Sequence, residues 1–232
     1  NYLNMRNGVT DSLTTFHAAG NDSLECIQTL DPNYATENWT YENGNIDEGV
    51  TFSVNCIAEY TYVPDDNFEQ TLIDLGYDDF LDDSVLTASI SGITSLNVFN
   101  DSISDLTGIE DFIALTNLNC YNNQLTSLDV SSNTALTSLR CYNNQLTSLD
   151  VSNNTALSRL FCGSNELTSL DVSSNTALTS LRCSNNPLTS LDVSNNTALS
   201  SLFCGANELT NLDVSSNTAL TDLRCNSSNL AS

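Results

Sequence analysis

The chain has 232 residues with 29 acidic side chains, five basic ones and a single histidine, a formal charge of -24. All five cations are arginines and there is no lysine, so no basic patch of the kind that holds nucleic acid or an anionic membrane can form. A hydrophobic content of 40% suffices for a packed core, whereas no apolar run approaches the roughly 20 residues of a membrane-spanning helix, which argues against membrane insertion.

Residues 1–60 carry acidic and aromatic side chains and two cysteines, Cys26 and Cys56, outside the period that governs the rest of the chain. Pro64, in EYTYVPDD, marks the boundary after them. Residues 61–92 follow. There VPDDNFEQTLIDLGYDD spaces Phe68, Leu72, Ile73 and Leu75 as an amphipathic helix would, predicting a short helical cap near residues 66–76. A repeat array needs such a cap, because its first coil would otherwise expose an apolar end. The neighbouring carboxylates Asp74, Asp78, Asp79, Asp82 and Asp83 lack the glycine and terminal glutamate of a calcium loop, so a charged helix end or cap loop is expected.

Residues 93–232 are periodic. After a 22-residue unit, ITSLNVFNDSISDLTGIEDFIA, five units of 21 residues run from Leu115, beginning LTNLNCYNNQLTSLDVSSNTA and LTSLRCYNNQLTSLDVSNNTA, before a truncated sixth. Each unit holds two versions of LxxLx(C/V)xxN. A strand alternates its faces, so in SLRCY one face takes Leu139 and Cys141 and the other takes Ser138, Arg140 and Tyr142. Stacked units would form a parallel sheet with strands about 4.8 Å apart. Within 21 residues there is no room for a helix, so the opposite side should be extended or in short turns.

Stacking turns the period into ladders. Cys120, Cys141, Cys162, Cys183, Cys204 and Cys225 fall in the leucine phase, and the second half-unit places valine there, which predicts buried, reduced packing thiols. Metal ligation is disfavoured, since zinc sites use close cysteine pairs and usually histidine, and His17 stands alone. Asn123, Asn144, Asn165, Asn186 and Asn207 fall where the chain leaves the strand, with a second asparagine ladder from Asn133 to Asn217; both can satisfy backbone groups. Asp129, Asp150, Asp171, Asp192 and Asp213 would repel one another by about 0.8 kcal/mol per pair in water, so this ladder must face solvent or bond to backbone.

On the outer strand face, Arg140, Phe161, Arg182, Phe203 and Arg224 alternate cation and ring within cation–π reach. Arg159 lies on the same face, and Phe99, Tyr121 and Tyr142 occupy the adjoining column. This strip is the candidate ligand-binding surface. Its alternation also runs in step with SSNTA and SNNTA, as duplication of a 42-residue pair of units would produce. Neither a nucleophile motif nor a phosphate-binding glycine loop occurs, so the chain is expected to be non-catalytic and without cofactor.

The L, L, C/V and N positions recurring together resemble the leucine-rich-repeat family, and within it the bacterial 21-residue class with nested half-repeats found in secreted surface proteins of Bacteroidetes. The resemblance implies a repeat solenoid with a parallel β-sheet face and a mostly extended or turn-built convex side. It also implies an extracellular or cell-surface location, a concave sheet face that binds an extracellular protein or glycan, and a longer parent chain. Residues 1–60 resemble the closing coil and C-terminal cap of a preceding array, with a Cys26–Cys56 disulfide, which places the helical cap of a second array at 61–92 and the array itself at 93–232. Asp-Ser-aliphatic triplets around Ser12, Ser23, Ser84 and Ser102 resemble the O-glycosylation signal of such exported proteins. The competing reading is a spacer or stalk module with no ligand of its own. Ice or mineral-surface binding is disfavoured, because paired threonines on one strand face are missing.

Overall fold

The computed structural model describes residues 2–5, 15–21, 24–53 and 59–226, and the chain divides into two units, Asn1–Glu59 and Tyr60–Ser232. In the first unit, β1 (Tyr2–Asn4), β2 (Cys26–Gln28) and β3 (Thr51–Ser53) pair in parallel, with Ile27 opposite Phe52. Helix α1 (Pro32–Asn38) is capped by Asp31, whose Oδ1 accepts from Tyr34 N at 2.9 Å. Trp39 is buried and stacks on Phe16, ring centroids 4.4 Å apart, beside a small core of Ala18, Ile27, Ile46 and Val50. Cys26 is not among the free thiols. Its expected partner Cys56 lies outside the described residues, as do Ser12 and Ser23.

The second unit opens with an antiparallel pair, β4 (Tyr60–Tyr62) and β5 (Ser84–Leu86), around α2 (Asp66–Asp74), and α3 (Thr87–Ile90) follows. Phe68 and Leu72 of α2 are fully buried and Phe68 lies 6.3 Å from Phe112 of the first coil. Leu75 departs from the expected apolar face: it falls past the helix end and is 43% exposed. The inward place is taken instead by Glu69, 1% exposed, whose Oε1 accepts from the backbone of Asp82 (2.9 Å) and Ser84 (3.0 Å). The acidic cluster is therefore a cap loop held on a buried carboxylate. Asp65 fastens this cap to the array. Its Oδ1 caps α2 through Asn67 N and Phe68 N, while Oδ2 accepts from Ser104 N, Ser104 Oγ and Asp105 N at 2.7–3.0 Å. Burial works to raise this carboxyl, but those hydrogen bonds outweigh it and hold it below the ordinary 3.8.

Seven three-residue strands follow: β6 (Ser95–Asn97), β7 (Asn117–Asn119), β8 (Ser138–Arg140), β9 (Arg159–Phe161), β10 (Ser180–Arg182), β11 (Ser201–Phe203) and β12 (Asp222–Arg224). They form one parallel sheet in chain order, with Leu96, Leu118, Leu139, Leu160, Leu181, Leu202 and Leu223 in register. The first step is 22 residues and the rest are 21, as the period predicts. This is the leucine-rich-repeat solenoid expected from the sequence, and between the strands the chain runs in short turns. No helix among the described residues is long and apolar enough to cross a membrane.

Inside the coils, the leucine, cysteine and valine phases are buried along the array, Cys120, Cys141, Cys162, Cys183 and Cys204 being 0% exposed. Cys120, Cys141, Cys162 and Cys183 carry free thiols. Burial pushes the Cys120 thiol up to about 12 and the next three well above 9.0, which makes them poor nucleophiles. The first asparagine ladder joins successive coils: Asn165 Nδ2 donates to the carbonyls of Cys141 (3.0 Å) and Cys162 (3.1 Å), and Oδ1 accepts from Leu146 N (3.0 Å). Asn144, Asn186 and Asn207 repeat this pattern. In the second ladder, Asn154 Nδ2 donates to Val130 O and Asn133 O while its Oδ1 is buried without a partner. The residue before each first-ladder asparagine has positive φ, at Asn122, Asn143, Ser164, Asn185 and Ala206, a backbone state that asparagine tolerates better than alanine.

Replacing Asn165 by alanine leaves the buried Leu146 N–H without its acceptor and removes one of the two asparagine donors at each of the Cys141 and Cys162 carbonyls. Urea unfolding should therefore show a loss of about 2 kcal/mol, whereas Asn153→Ala on the exposed turn should stay within about 0.5 kcal/mol. Brief alkylation at mildly alkaline pH followed by peptide mapping should modify the half-buried Cys225 and spare Cys120, Cys141, Cys162 and Cys183 until denaturant is added. Rapid native labelling of those four would contradict the packing assignment.

Candidate ligand-binding strip

The expected strip residues lie on one face because each falls on an outward phase of the sheet. The structure resolves them into three columns. Phe99, Tyr121 and Tyr142 form a stack, with centroid separations of 4.9 and 4.5 Å and interplanar angles of 18° and 7°. One column over, Arg140, Phe161, Arg182, Phe203 and Arg224 interleave. The Arg140 and Arg182 guanidiniums lie 5.5 and 4.5 Å from the Phe161 ring centre, and those of Arg182 and Arg224 lie 4.7 and 4.3 Å from that of Phe203. Arg159 stands in the third column, opposite Ser138 on one side and Ser180 on the other.

Each such contact is worth about 0.5–1 kcal/mol, but its larger effect is geometric. A guanidinium sandwiched between rings keeps its plane, and only its N–H edge remains for a partner. Among the described residues the one ion pair is Arg224 with Asp222, Nε to Oδ1 3.4 Å. Among the described residues Arg140, Arg159 and Arg182 form no ion pair, and the Arg140 Nε is buried without a hydrogen-bond partner.

These side chains border a cleft of about 680 Å³ whose lining includes Tyr142, Phe161, Arg182, Gly163, Ser184 and Asn185. The glycines were not recognised as part of the site by sequence reasoning. Gly163 and Gly205 occupy the column of Tyr121 and Tyr142, so the aromatic stack stops at Tyr142 and a hollow follows it. A Cβ on Gly163 would sit 2.8 Å from the Ser184 carbonyl oxygen, which keeps the position bare. The available signal was the change from Cys-Tyr at Tyr121 and Tyr142 to Cys-Gly at Gly163 and Gly205.

The expected modification sites divide. Ser102 is exposed, with φ 62°, whereas the Ser84 hydroxyl donates to Asp82 Oδ1 at 2.8 Å within β5. Among the described residues no group of three or more metal-binding side chains is placed to hold an ion. The threonine and serine hydroxyls beside the strands are used by the backbone: Thr137 Oγ1 donates to Thr116 O at 3.1 Å and Ser158 Oγ to Thr137 O at 3.0 Å.

The aspartate ladder is solvated and bonded to its own backbone. Oδ1 of Asp150, Asp171, Asp192 and Asp213 accepts from the N–H of Ser152, Ser173, Ser194 and Ser215 at 2.8–2.9 Å. These N–H groups, then the serine hydroxyls, hold the four carboxyls below the ordinary 3.8 and outweigh the repulsion between neighbours. For Asp129 the Ser131 hydroxyl contributes most, ahead of its N–H. A lowered folded value means that the ionised form favours the fold, so this contribution is complete above the unfolded value and is lost as pH falls through the folded one. Urea midpoints should therefore hold between neutrality and about pH 4 and drop below it. An Asp171→Ala variant should show a shallower acid limb.

No family model matches the sequence. The chain is 39% identical over 128 residues to internalin J of Listeria monocytogenes, a match covering 54% of this chain and 13% of that protein. The solved functional domain of internalin J from Listeria monocytogenes, which includes a cysteine ladder, superposes with a TM-score of 0.64 at 37% identity over 75% of this chain and 44% of that one. Internalin C2 of Listeria monocytogenes shares the fold at 19% identity, with a TM-score of 0.59 over 77% of this chain and 92% of that one. This chain thus spans less than half the length of the internalin J domain it resembles. Its fold is a leucine-rich-repeat solenoid, and its repeats are similar to those of bacterial leucine-rich-repeat proteins.

Proposed function

We propose that the second unit is a non-catalytic recognition module, acting outside the cell on an extracellular protein or glycan through the outer face of its parallel sheet. The observation that carries this reading is the set of ordered guanidiniums bordering the cleft beside Tyr142. The Arg140 Nε is buried without a partner, and Arg159 and Arg182 are exposed with no ion pair among the described residues, so an anionic ligand group finds N–H donors there that are not already engaged. The likeness to internalin J, and the absence from the sequence of any nucleophile or cofactor motif, support binding rather than catalysis.

In the same reading residues 1–60 close a preceding array through a Cys26–Cys56 bridge, residues 61–92 cap the second, and Ser102 is an accessible glycosylation site. The 21-residue nested repeat resembles that of exported surface proteins of Bacteroidetes, which supports an extracellular location in this reading. A spacer or stalk role is the second reading, favoured by the 42-residue duplication that reproduces the strip together with its scaffold.

The test uses the labelled full chain against immobilised panels of extracellular matrix proteins and glycans. A Phe161→Ala/Arg182→Ala/Phe203→Ala variant should lose at least about tenfold in affinity, roughly 1.4 kcal/mol, while its urea transition stays cooperative. Wild-type binding that the variant retains, or no wild-type binding to any panel member, would favour the spacer.

A further inference from the structure

We infer that the cleft beside Tyr142 takes an acidic glycan, a linear polysaccharide carrying carboxylates along its length. This rests on the recognition reading above and adds the chemical class of the ligand.

The first argument is charge and spacing. Arg140, Arg182 and Arg224 occupy every second strand, so with strands about 4.8 Å apart one cation recurs every ~10 Å. That is close to the length of one disaccharide in an extended polysaccharide. Duplex nucleic acid, with one charge per ~1.7 Å of axis, is far denser in charge than the strip.

The second argument is donor geometry. Phe161 and Phe203 cover the guanidinium faces, which leaves in-plane N–H groups suited to a planar carboxylate. Arg159 projects from the neighbouring column toward the same cleft.

The third argument is the interrupted stack. One face of Tyr142 is covered by Tyr121 at 4.5 Å, and the next place in the column is Gly163, which has no side chain. The cleft over this bare backbone, bordered by Tyr142, leaves room beside the tyrosine for a sugar ring with an apolar C–H face. Ser180, Ser184 and Asn185 along the rim provide partners for its hydroxyls. An acidic peptide supplies carboxylates but no ring at this interval, so the glycan accounts for both halves of the site.

The full chain is titrated, at low salt, with hyaluronan oligosaccharides and polygalacturonate, and in parallel with carboxyl-reduced hyaluronan and poly-glutamate. Hyaluronan or polygalacturonate should bind, with at least about tenfold weaker binding (roughly 1.4 kcal/mol) for the carboxyl-reduced polymer and for the Arg182→Gln chain. Tyr142→Leu should weaken polysaccharide binding by a similar factor and leave poly-glutamate unaffected; a cooperative urea transition for each variant guards against misfolding. Failure of both acidic polysaccharides, equal binding of the carboxyl-reduced form, or poly-glutamate binding as tightly with no effect of Tyr142→Leu would overturn the glycan assignment. If panel binding sensitive to Phe161 and Phe203 survives such a failure, the recognition reading stands with another partner. If no strip-dependent binding remains, both fall.

Discussion

Every coil of the array must turn out of the sheet after three strand residues, and each turn leaves backbone groups facing the interior with no strand to pair them. The asparagine carboxamide answers that constraint. Its two N–H groups reach carbonyls of its own coil and the preceding one, and its oxygen accepts a leucine N–H, as Asn165 does for Cys141, Cys162 and Leu146. An apolar side chain there would leave the leucine N–H unpaired, at a cost of about 1–3 kcal/mol, and halve the asparagine donors at each carbonyl. Because the contact joins adjacent coils, it fixes their register as well as their stability.

From that register the rest follows. Leucine and cysteine are carried inward together, where burial suppresses thiolate formation and cysteine serves as a small apolar residue. The same register brings Arg140, Phe161, Arg182, Phe203 and Arg224 to equivalent points on neighbouring strands. Contacts between residues 21 apart thereby become as close as those between neighbours in a helix. The strip is thus a consequence of the interior scaffold, and it holds even across the 22-residue first coil, where Phe99 still stacks on Tyr121.

At the N-terminal end of the array the constraint is different, since the first coil has no predecessor to receive its hydrogen bonds or cover its apolar end. Phe68 and Leu72 provide the cover. Asp65 provides the bonds, with one carboxylate oxygen on the helix and the other on the Ser104–Asp105 backbone. Gly108 belongs to this junction too: its φ is 102° and a Cβ there would lie 2.8 Å from the Tyr62 carbonyl oxygen.

Much of this was legible in the residues, because a fixed period converts one-dimensional spacing into three-dimensional neighbourhood. The solenoid, the parallel register, the buried cysteine column and the alternating Arg and Phe column all follow from residues recurring 21 apart with a strand's two-sided phase, while the cap helix followed from helical apolar spacing outside the repeat. Where no repeat constrains the chain, local spacing was a poorer guide: Leu75 has the apolar position but lies beyond the last helical turn, and the inward place went to Glu69. The cleft could not be read from the period at all. It depends on Gly163 lying so near the Ser184 carbonyl that no side chain fits, and on Tyr142, stacked on Tyr121, being followed in its column by that glycine. Pattern by itself determined which residues are neighbours; the distances between backbones, which only packing sets, decided where between those neighbours there is room for something else.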